Sequence, residues 1–281
     1  MNGIAAKVPA AVLAALPAAL PGSLPGLWPG AVPDAPGAVW CSPAGTAAGR
    51  LLLLPHKAAF DPDLGLLLVA DAHIGKAVSF RRLGVPVPAG STATALARLD
   101  ALLALTGAQG IVFLGDFLHS VRAHAAGTMA AVAAWRVQHA TLNLTLVRGN
   151  HDQHAGDPPA ALGIRVLDGP LAAGPWALAH QPDPVPGRYT LAGHVHPGVA
   201  LGGRGGGSAG GSGGGGRAGA RGHDRLRLPC FHFGPQVGVL PAFGPFTGLH
   251  LLARSPADQV FAVAAADTAE SAESAGLVLR V

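Results

Sequence analysis

Short apolar runs that end in polar loops recur along the middle of the chain. They are too short for helices and rich in aliphatic residues, which is typical of buried strands. The first runs are Leu51–Leu54, Leu66–Ala70, Ile111–Leu114 and Leu142–Val147. The later runs are Trp176–Ala179, Tyr189–Ala192, Arg225–Phe233, Val237–Ala242, Gly248–Leu252 and Val260–Ala264. The turn signal Asp61-Pro62-Asp63 stands between the first two runs and predicts that they form a hairpin.

Two longer segments between these strands have the spacing of amphipathic helices. In Thr92–Leu105, the leucines recur every three or four residues, and Ser91 is positioned to act as the N-cap. Thr128–Thr141 is predicted to form a second helix. Because strands and helices alternate, the pattern favours an α/β sandwich, in which ligands collect at the carboxyl ends of strands.

Five of the predicted strands end in a loop that carries aspartate, asparagine or histidine. The clusters are Asp71-Ala-His73, Gly115-Asp116, Gly149-Asn150-His151-Asp152, His180 and Gly193-His194-Val195-His196. In extended chain, Asp-x-His and His-x-His place both side chains on one side, so that one strand end can supply two ligands to one ion. Each cluster alone is weak evidence, because single histidines and Gly-Asn turns are common outside sites. All five in this order indicate one convergent site.

The residue types in these clusters point to divalent metal ions. The chain has 13 histidines but only two glutamates, Glu270 and Glu273. Carboxylate, imidazole and amide ligands without thiolate suit Mn, Fe, Zn or Ni better than a structural zinc site. One aspartate can bridge two ions about 3.5–4 Å apart, which together clamp the attacking and leaving oxygens of phosphoryl transfer.

Composition limits the size of the domain, the kind of substrate and the compartment that we expect. The chain has 281 residues, 49% of them hydrophobic, which is enough for a substantial core. A net charge of +4 is compatible with an anionic substrate but is small for a protein that coats nucleic acid. The two cysteines, Cys41 and Cys230, give no disulfide framework and favour a reducing compartment. No apolar run is long enough to span a membrane. We therefore expect a cytoplasmic protein.

Low-complexity segments suggest the domain boundaries. Residues 1–48 are rich in alanine and proline and are predicted to be a partly disordered extension. Within this extension, the stretch from Lys7 to Leu20 loosely resembles a signal peptide, but two prolines interrupt it. The domain is predicted over residues 49–267, followed by a C-terminal tail at 268–281. A glycine-rich insertion at 202–222 cannot bury a core and is expected to be flexible.

The order of the five clusters resembles that of the calcineurin-like metallophosphoesterase superfamily, over residues 50–200. The resemblance implies a four-layer α-β-β-α sandwich with two mixed sheets. It implies a first metal held by Asp71, His73 and His196, a second held by Asn150, His180 and His194, and Asp116 as the bridge. Hydrolysis would use a hydroxide activated by the two metals, with manganese preferred over iron, zinc or nickel. His151 would contact the phosphate and protonate or stabilise the leaving oxygen.

A narrower resemblance concerns four segments of the chain. The segments Asp71–Arg82, Gly115–Ser120, Leu228–Phe231 and Pro241–Gly244 are similar to the bacterial ligase-associated DNA damage response endonuclease family, PdeM. The spacing Asp116-x-x-His119 also resembles that of DNA nucleases in which the histidine lies near the scissile phosphate. This likeness implies DNA as the substrate, a role in DNA repair and a functional association with a DNA ligase and a helicase.

Several roles stay open at the level of sequence. Lys76, Arg81 and Arg82 follow the first metal motif and are either contacts to the phosphate backbone or part of a solvated loop. His119 is either a catalytic partner or a buried polar group. A phosphatase or a small-nucleotide phosphodiesterase would use the same ligands. A non-catalytic scaffold is the third alternative, and it is disfavoured because no ligand position is lost.

Overall fold

The computed structural model describes residues 35–43, 49–88, 90–202, 225–264 and 276–281. These residues form two β-sheets that pack face to face, with helices against the outer face of the first sheet. Most of the predicted N-terminal extension and of the glycine-rich insertion lies outside the described residues. The arginines of that insertion, Arg204, Arg217 and Arg221, lie outside them as well.

Within the described residues, the first sheet contains seven strands in the order of the chain. They are β1 (Val39–Cys41), β2 (Leu51–Leu54), β3 (Ala58–Asp61), β4 (Leu66–Val69), β5 (Gly110–Leu114), β6 (Asn143–Val147) and β7 (Arg165–Leu167). Strands β1 to β4 pair antiparallel, whereas β4 to β7 run parallel. The parallel strands β4, β5 and β6 therefore end at the same edge of the sheet.

The second sheet, as far as the structure describes it, contains nine strands and is also mixed. They are β8 (Leu171–Ala173), β9 (Trp176–Leu178), β10 (Tyr189–Ala192), β11 (Pro197–Leu201), β12 (Leu226–Phe233), β13 (Val237–Val239), β14 (His250–Leu251), β15 (Gln259–Ala264) and β16 (Leu277–Arg280). The order is β14-β11-β12-β13-β10-β9-β8, with β15 paired to β12 and β16 paired to β15. Strands β9, β10 and β13 run parallel at its centre.

Four helices complete the described fold. They are α1 (Lys76–Arg82), α2 (Ser91–Thr106), α3 (Ala126–Gln138) and α4 (Asn150–Ala155), with 3-10 turns at Val121–His124 and Ala160–Leu162. The predicted N-cap at Ser91 is wrong. Gly90 occupies the cap position with φ of 87°, and Ser91 is the first helical residue. A left-handed cap favours glycine, which has no Cβ to clash in that conformation.

Strands β2 to β7 of the first sheet each supply two hydrophobic cores. On β2, Leu52 and Leu54 face the helices, whereas Leu51 and Leu53 face the second sheet. This alternation follows from the period of two in extended chain. Because both faces are covered, such a strand is apolar throughout, which is why the runs stand out in the sequence.

The predicted α/β fold with two mixed sheets is confirmed. The predicted hairpin between Leu51–Leu54 and Leu66–Ala70 is wrong, because β3 lies between these strands and pairs with both of them. Strands β1 and β16 lie outside the range 49–267 and extend the two sheets. Within the described residues, no helix is long and apolar enough to cross a membrane.

Candidate metal centre

Both sheets deliver polar side chains to one edge of the sandwich. In the first sheet, Asp71, Asp116 and Asn150 follow the carboxyl ends of the parallel strands β4, β5 and β6. In the second sheet, His180 and His194 follow the ends of β9 and β10. An isolated bridge from Ala70 to Ala242 joins the two halves beside these loops. The structure thus brings together clusters that are far apart in sequence.

One group of donors joins the first cluster to the last. Single ligand atoms of Asp71, His73 and His196 all lie within 4.8 Å of one another. The Nε2 atoms of the two histidines are 3.3 Å apart, and Nε2 of His196 lies 3.8 Å from Oδ1 of Asp71. Two imidazole nitrogens that point at each other beside a buried carboxylate are typical of ligands around a cation.

A second group adjoins the first. Ligand atoms of Asp71, Asp116 and His180 also lie within 4.8 Å of one another. Nε2 of His180 is 2.9 Å from Oδ1 of Asn150 and 3.1 Å from Nδ1 of His194. Its distance to Oδ1 of Asp116 is 3.5 Å. All seven predicted metal ligands therefore occupy one continuous cluster, and the donor set fits divalent cations by its chemistry.

Five of these seven residues have a backbone conformation that side chains avoid. The residues with positive φ are Asp71 at 50°, His73 at 46°, Asp116 at 50°, His194 at 71° and His196 at 52°. For a residue with a Cβ, this conformation costs about 1–2 kcal/mol. Strained residues of this kind cluster at functional sites, where the surrounding structure holds them.

Glycines beside the clusters allow the loops to approach each other closely. A Cβ at Gly115 would overlap the imidazole of His180, and one at Gly149 would overlap the carboxylate of Asp116. A Cβ at Gly193 would lie 2.6 Å from Oδ2 of Asp71. The glycine in each motif is therefore required by the packing of the adjacent cluster.

The electrostatics of the cluster favour an added positive charge. Burial lowers the pKa of His73 and of His194 below the usual range of histidine. Neutral imidazole keeps a lone pair available for a metal. Burial also raises the pKa of Asp116, although the nearby His180 opposes this shift. A cation at this place would offset the desolvation of the carboxylate.

The two predicted catalytic histidines lie beside the first group of donors. The rings of His119 and His151 stack with centroids 5.0 Å apart, and each has a nitrogen within 4.8 Å of a nitrogen of His73. His151 Nδ1 is 2.8 Å from the carbonyl oxygen of His119. Burial, followed by the charge of Lys76, lowers the pKa of His119 to about 4. By distance alone, both histidines could serve as ligands as well as catalytic groups.

Of the three predicted substrate contacts, the structure brings Lys76 to the cluster. Its side chain is only 8% exposed, and burial lowers its pKa while Asp71 and Asp116 oppose that shift. Arg81 and Arg82 lie exposed in the last turn of α1. Arg81 donates a hydrogen bond to the carbonyl oxygen of Pro88, at 3.3 Å. A cleft of about 670 Å³ adjoins the cluster and is lined by His119, Ser120, Val121, Arg122, Asn150, His151 and His154.

Asp152 is a residue whose role the sequence analysis missed. Its side chain is fully buried; Oδ1 accepts the N–H of Leu118 at 2.9 Å and Oδ2 accepts the N–H of Gly149 at 2.9 Å. These bonds tie the loop after β5 to the start of α4. Its place three residues after Gly149, as in a capping box, was the signal in the sequence.

Comparison with known proteins identifies a similar protein of known structure. The chain is similar to the crystal structure of the Pseudomonas putida nuclease MPE, with a TM-score of 0.65 and 42% sequence identity. The match covers 79% of this chain and 96% of that one. No protein-family model matches the chain, and no curated protein matches it either. Because so large a part of the nuclease aligns at this identity, the chain belongs to the family of the Pseudomonas putida nuclease MPE.

Proposed function

We propose that this protein is a metal-dependent phosphodiesterase that cleaves nucleic acid, with DNA as the substrate. The observation that carries the proposal is the convergence of carboxylate, amide and imidazole donors from both sheets at one edge. The 42% identity to a nuclease supports the choice of nucleic acid as the substrate class. Buried Lys76 places its amine near Asp71 and Asp116 of the same cluster.

We assign seven residues as ligands of two divalent ions. Asp71, His73 and His196 would hold one ion, and Asn150, His180 and His194 the other, with Asp116 bridging the two. When bound, such ions lower the pKa of a water molecule and neutralise phosphoryl oxygens. Manganese is our preferred ion, and iron, zinc and nickel suit the same donors.

The hydrogen bond of His151 suggests how it acts. A bond from Nδ1–H to the carbonyl of His119 would leave Nε2 free to face the substrate, because a neutral imidazole carries one proton. Once protonated, Nε2 can donate to the oxygen that leaves. His119 stacks on this ring, so that it orients the imidazole and lies within reach of the same phosphate.

The wider biological assignments form part of the same proposal. Membership of the calcineurin-like superfamily, and within it of PdeM, would follow from the motif order described above. A cytoplasmic location, a role in DNA repair and an association with a DNA ligase and a helicase are the corresponding expectations. Lys76 would contact the phosphate directly, and Arg81 and Arg82 would contact the backbone farther from the cut.

A substrate panel tests the proposal. Protein stripped of metal and reloaded with Mn²⁺ is incubated with single-stranded, double-stranded and nicked DNA, and with RNA, a phosphomonoester and a cyclic dinucleotide. The proposal expects Mn²⁺-dependent cleavage of DNA. Turnover of the monoester alone would indicate a phosphatase, and turnover of the cyclic dinucleotide alone a small-nucleotide phosphodiesterase. Protein that binds no metal and cleaves none of these substrates would be a scaffold.

A further inference from the structure

Phe246 is an aromatic side chain that lies beside the candidate metal centre but is not part of it. It is 39% exposed, and its backbone has a positive φ of 58°. Its ring lies 6.3 Å from that of Phe80, between centroids. Phe80 in turn packs edge-on against His119, at 6.2 Å. A row of three rings therefore leads from the cluster to the surface and ends at Phe246.

The backbone just before Phe246 is tied to the loop that carries Asp71. The N–H of Phe243 donates to the carbonyl of Ala70 at 2.8 Å, and the N–H of Gly244 donates to the carbonyl of Asp71 at 3.0 Å. A Cβ at Gly244 would lie 2.5 Å from the carbonyl oxygen of Ala72. The segment therefore sits directly on the metal-binding loop, which sets the position of Phe246 relative to the site.

The contrast with Phe243 shows that core packing does not explain the exposed ring. Phe243 is fully buried and lies beneath the guanidinium of Arg98, 4.1 Å from its ring centroid. Phe246, three residues later, is held in a left-handed conformation that a bulky side chain avoids. Backbone strain of this kind is found near functional sites, and an exposed aromatic ring held there is suited to contact a ligand.

The surroundings of this ring match those of sites that bind nucleic-acid strands. Such sites combine aromatic faces, on which bases stack, with cations that track the phosphates. Here, Nζ of Lys76 lies 5.8 Å from the ring centroid of Phe80, and its amine interacts electrostatically with Asp71 and Asp116 of the cluster. A phosphate at the cluster would therefore place a neighbouring nucleotide near Phe246.

We propose that Phe246 stacks on the nucleobase of a nucleotide next to the scissile phosphate and thereby positions the strand for cleavage. This inference rests on the proposed function, since it needs a nucleic-acid substrate. It adds to that function a specific contact with a base, which the metal ligands and Lys76 cannot supply. Because every base has an aromatic face, the contact is independent of sequence.

The test measures the coupling between the ring and the base. The substrate is a short single-stranded oligonucleotide with one phosphodiester, all other linkages being methylphosphonates. In two further versions, an abasic residue replaces the nucleotide on one or the other side of the cleavable bond. Values of kcat/KM are compared for the Mn²⁺-loaded wild type and for Phe246→Ala. Phe246→Trp keeps an aromatic face, Phe246→Leu keeps bulk without one, and Val137→Ala is a control at an exposed valine on α3.

On the intact substrate, Phe246→Ala should lose about 5- to 150-fold in kcat/KM, the range expected for one base–aromatic stack. Phe246→Trp should restore most of the activity, whereas Phe246→Leu should not, and Val137→Ala should match the wild type. Removing one of the two bases should cost the wild type as much as the alanine substitution does. On that abasic substrate, the wild type and Phe246→Ala should be equal.

Three results would overturn the inference in different ways. If the wild type cleaves the intact oligonucleotide but Phe246→Ala cleaves it equally well, Phe246 makes no productive contact and the proposed function stands. The inference also fails if the loss in Phe246→Ala is unchanged on both abasic substrates, since the effect would then not involve a base. If the wild type cleaves no oligonucleotide, the proposed function fails and the contact fails with it.

Discussion

Oδ1 of Asp116 accepts the backbone N–H of His151 at 2.9 Å, although 35 residues separate the two in sequence. The bond ties the proposed bridging carboxylate to the first turn of α4, where the proposed acid lies. A substitution at Asp116 can therefore remove the charge of the side chain while keeping the hydrogen bond that positions it. An amide oxygen can still accept the N–H bond, but it cannot bridge two cations as a carboxylate does.

Asp116→Asn should consequently lose metal more than it loses stability. We expect reduced metal content and a loss of at least about 10²-fold in turnover, since metal charge stabilisation contributes several kcal/mol to the transition state. Metal content is measured by elemental analysis after dialysis. Asp63→Asn is the matched control, because Asp63 is half-exposed and pairs with Arg50 on the surface. Full metal content and normal turnover in Asp116→Asn would disprove the bridge.

His151→Ala should show the opposite pattern. If His151 acts on the leaving group, the variant should retain its metals and lose about 10²–10⁴-fold in rate, as for a positioned general acid. The loss should be smaller for p-nitrophenyl esters, because p-nitrophenolate needs little protonation to leave. His250→Ala, a change at an exposed histidine on β14, serves as the control. Loss of metal from His151→Ala would instead identify His151 as a ligand, as its distance to His73 allows.

Replacing Gly115 tests the close approach of two loops. Gly115 and Gly187 have nearly the same φ, 79° and 77°, so alanine strains the backbone similarly at both positions. Only at Gly115 does the new Cβ overlap the imidazole of His180, whereas at Gly187 nothing lies within 4 Å. We expect Gly115→Ala to weaken metal binding about 10- to 100-fold, as for other changes that misplace a histidine ligand. Equal metal affinity in the two variants would show that the overlap is relieved without moving His180.

The two cysteines should be inert in the folded protein. Burial raises the pKa of Cys41 and of Cys230 to about 12, so that almost no thiolate is present at pH 8. Iodoacetamide should label neither thiol in native protein at that pH and both in guanidinium chloride. Rapid labelling of the native protein would contradict the burial.

The raised pKa of the two thiols also makes the stability of the fold depend on pH. The pKa of each thiol is higher in the folded protein than in the unfolded chain, so the neutral thiols stabilise the fold. This contribution is complete below about pH 8.5, the unfolded pKa of cysteine, and falls as the pH rises toward 12. Replacing both cysteines by alanine should therefore reduce the loss of stability between pH 9 and 11. Parallel stability curves for the two proteins would show that the thiols do not contribute.

The parts of the fold that local pattern determines were predictable, whereas those set by distant partners were not. Strands β4, β5 and β6 are buried on both faces, so their apolar runs stand out. Strand β3 was missed because it ends in Asp61, a polar residue. Its buried carboxylate accepts the N–H of Leu64 at 2.9 Å and the indole N–H of Trp176, from the other sheet, at 2.5 Å. No sequence pattern near residue 61 predicts a hydrogen-bond partner 115 residues away.

The same distinction applies to the candidate site, of which some residues were predictable from local pattern and others were not. Its ligand clusters were visible because each follows a strand and carries residue types that bind metals. Asp152 and Phe246 were not assigned a role, because their importance lies in long-range contacts, to the N–H of Leu118 and to the ring of Phe80. Whether Lys76 faced the cluster or solvent was also open, since only the folded chain brings its charge near His73 and His119.

The division of the proposed ligands between the two sheets would link activity to the completion of folding. Asp71, His73, Asp116 and Asn150 come from the first sheet and its loops, whereas His180, His194 and His196 come from the second. During synthesis, the first set leaves the ribosome well before the second, and each ion needs members of both. A nascent or half-docked chain would therefore be unable to hold either ion tightly. The proposed cleavage would begin only once the sandwich has closed, which would protect the cell's nucleic acids from an incompletely folded enzyme.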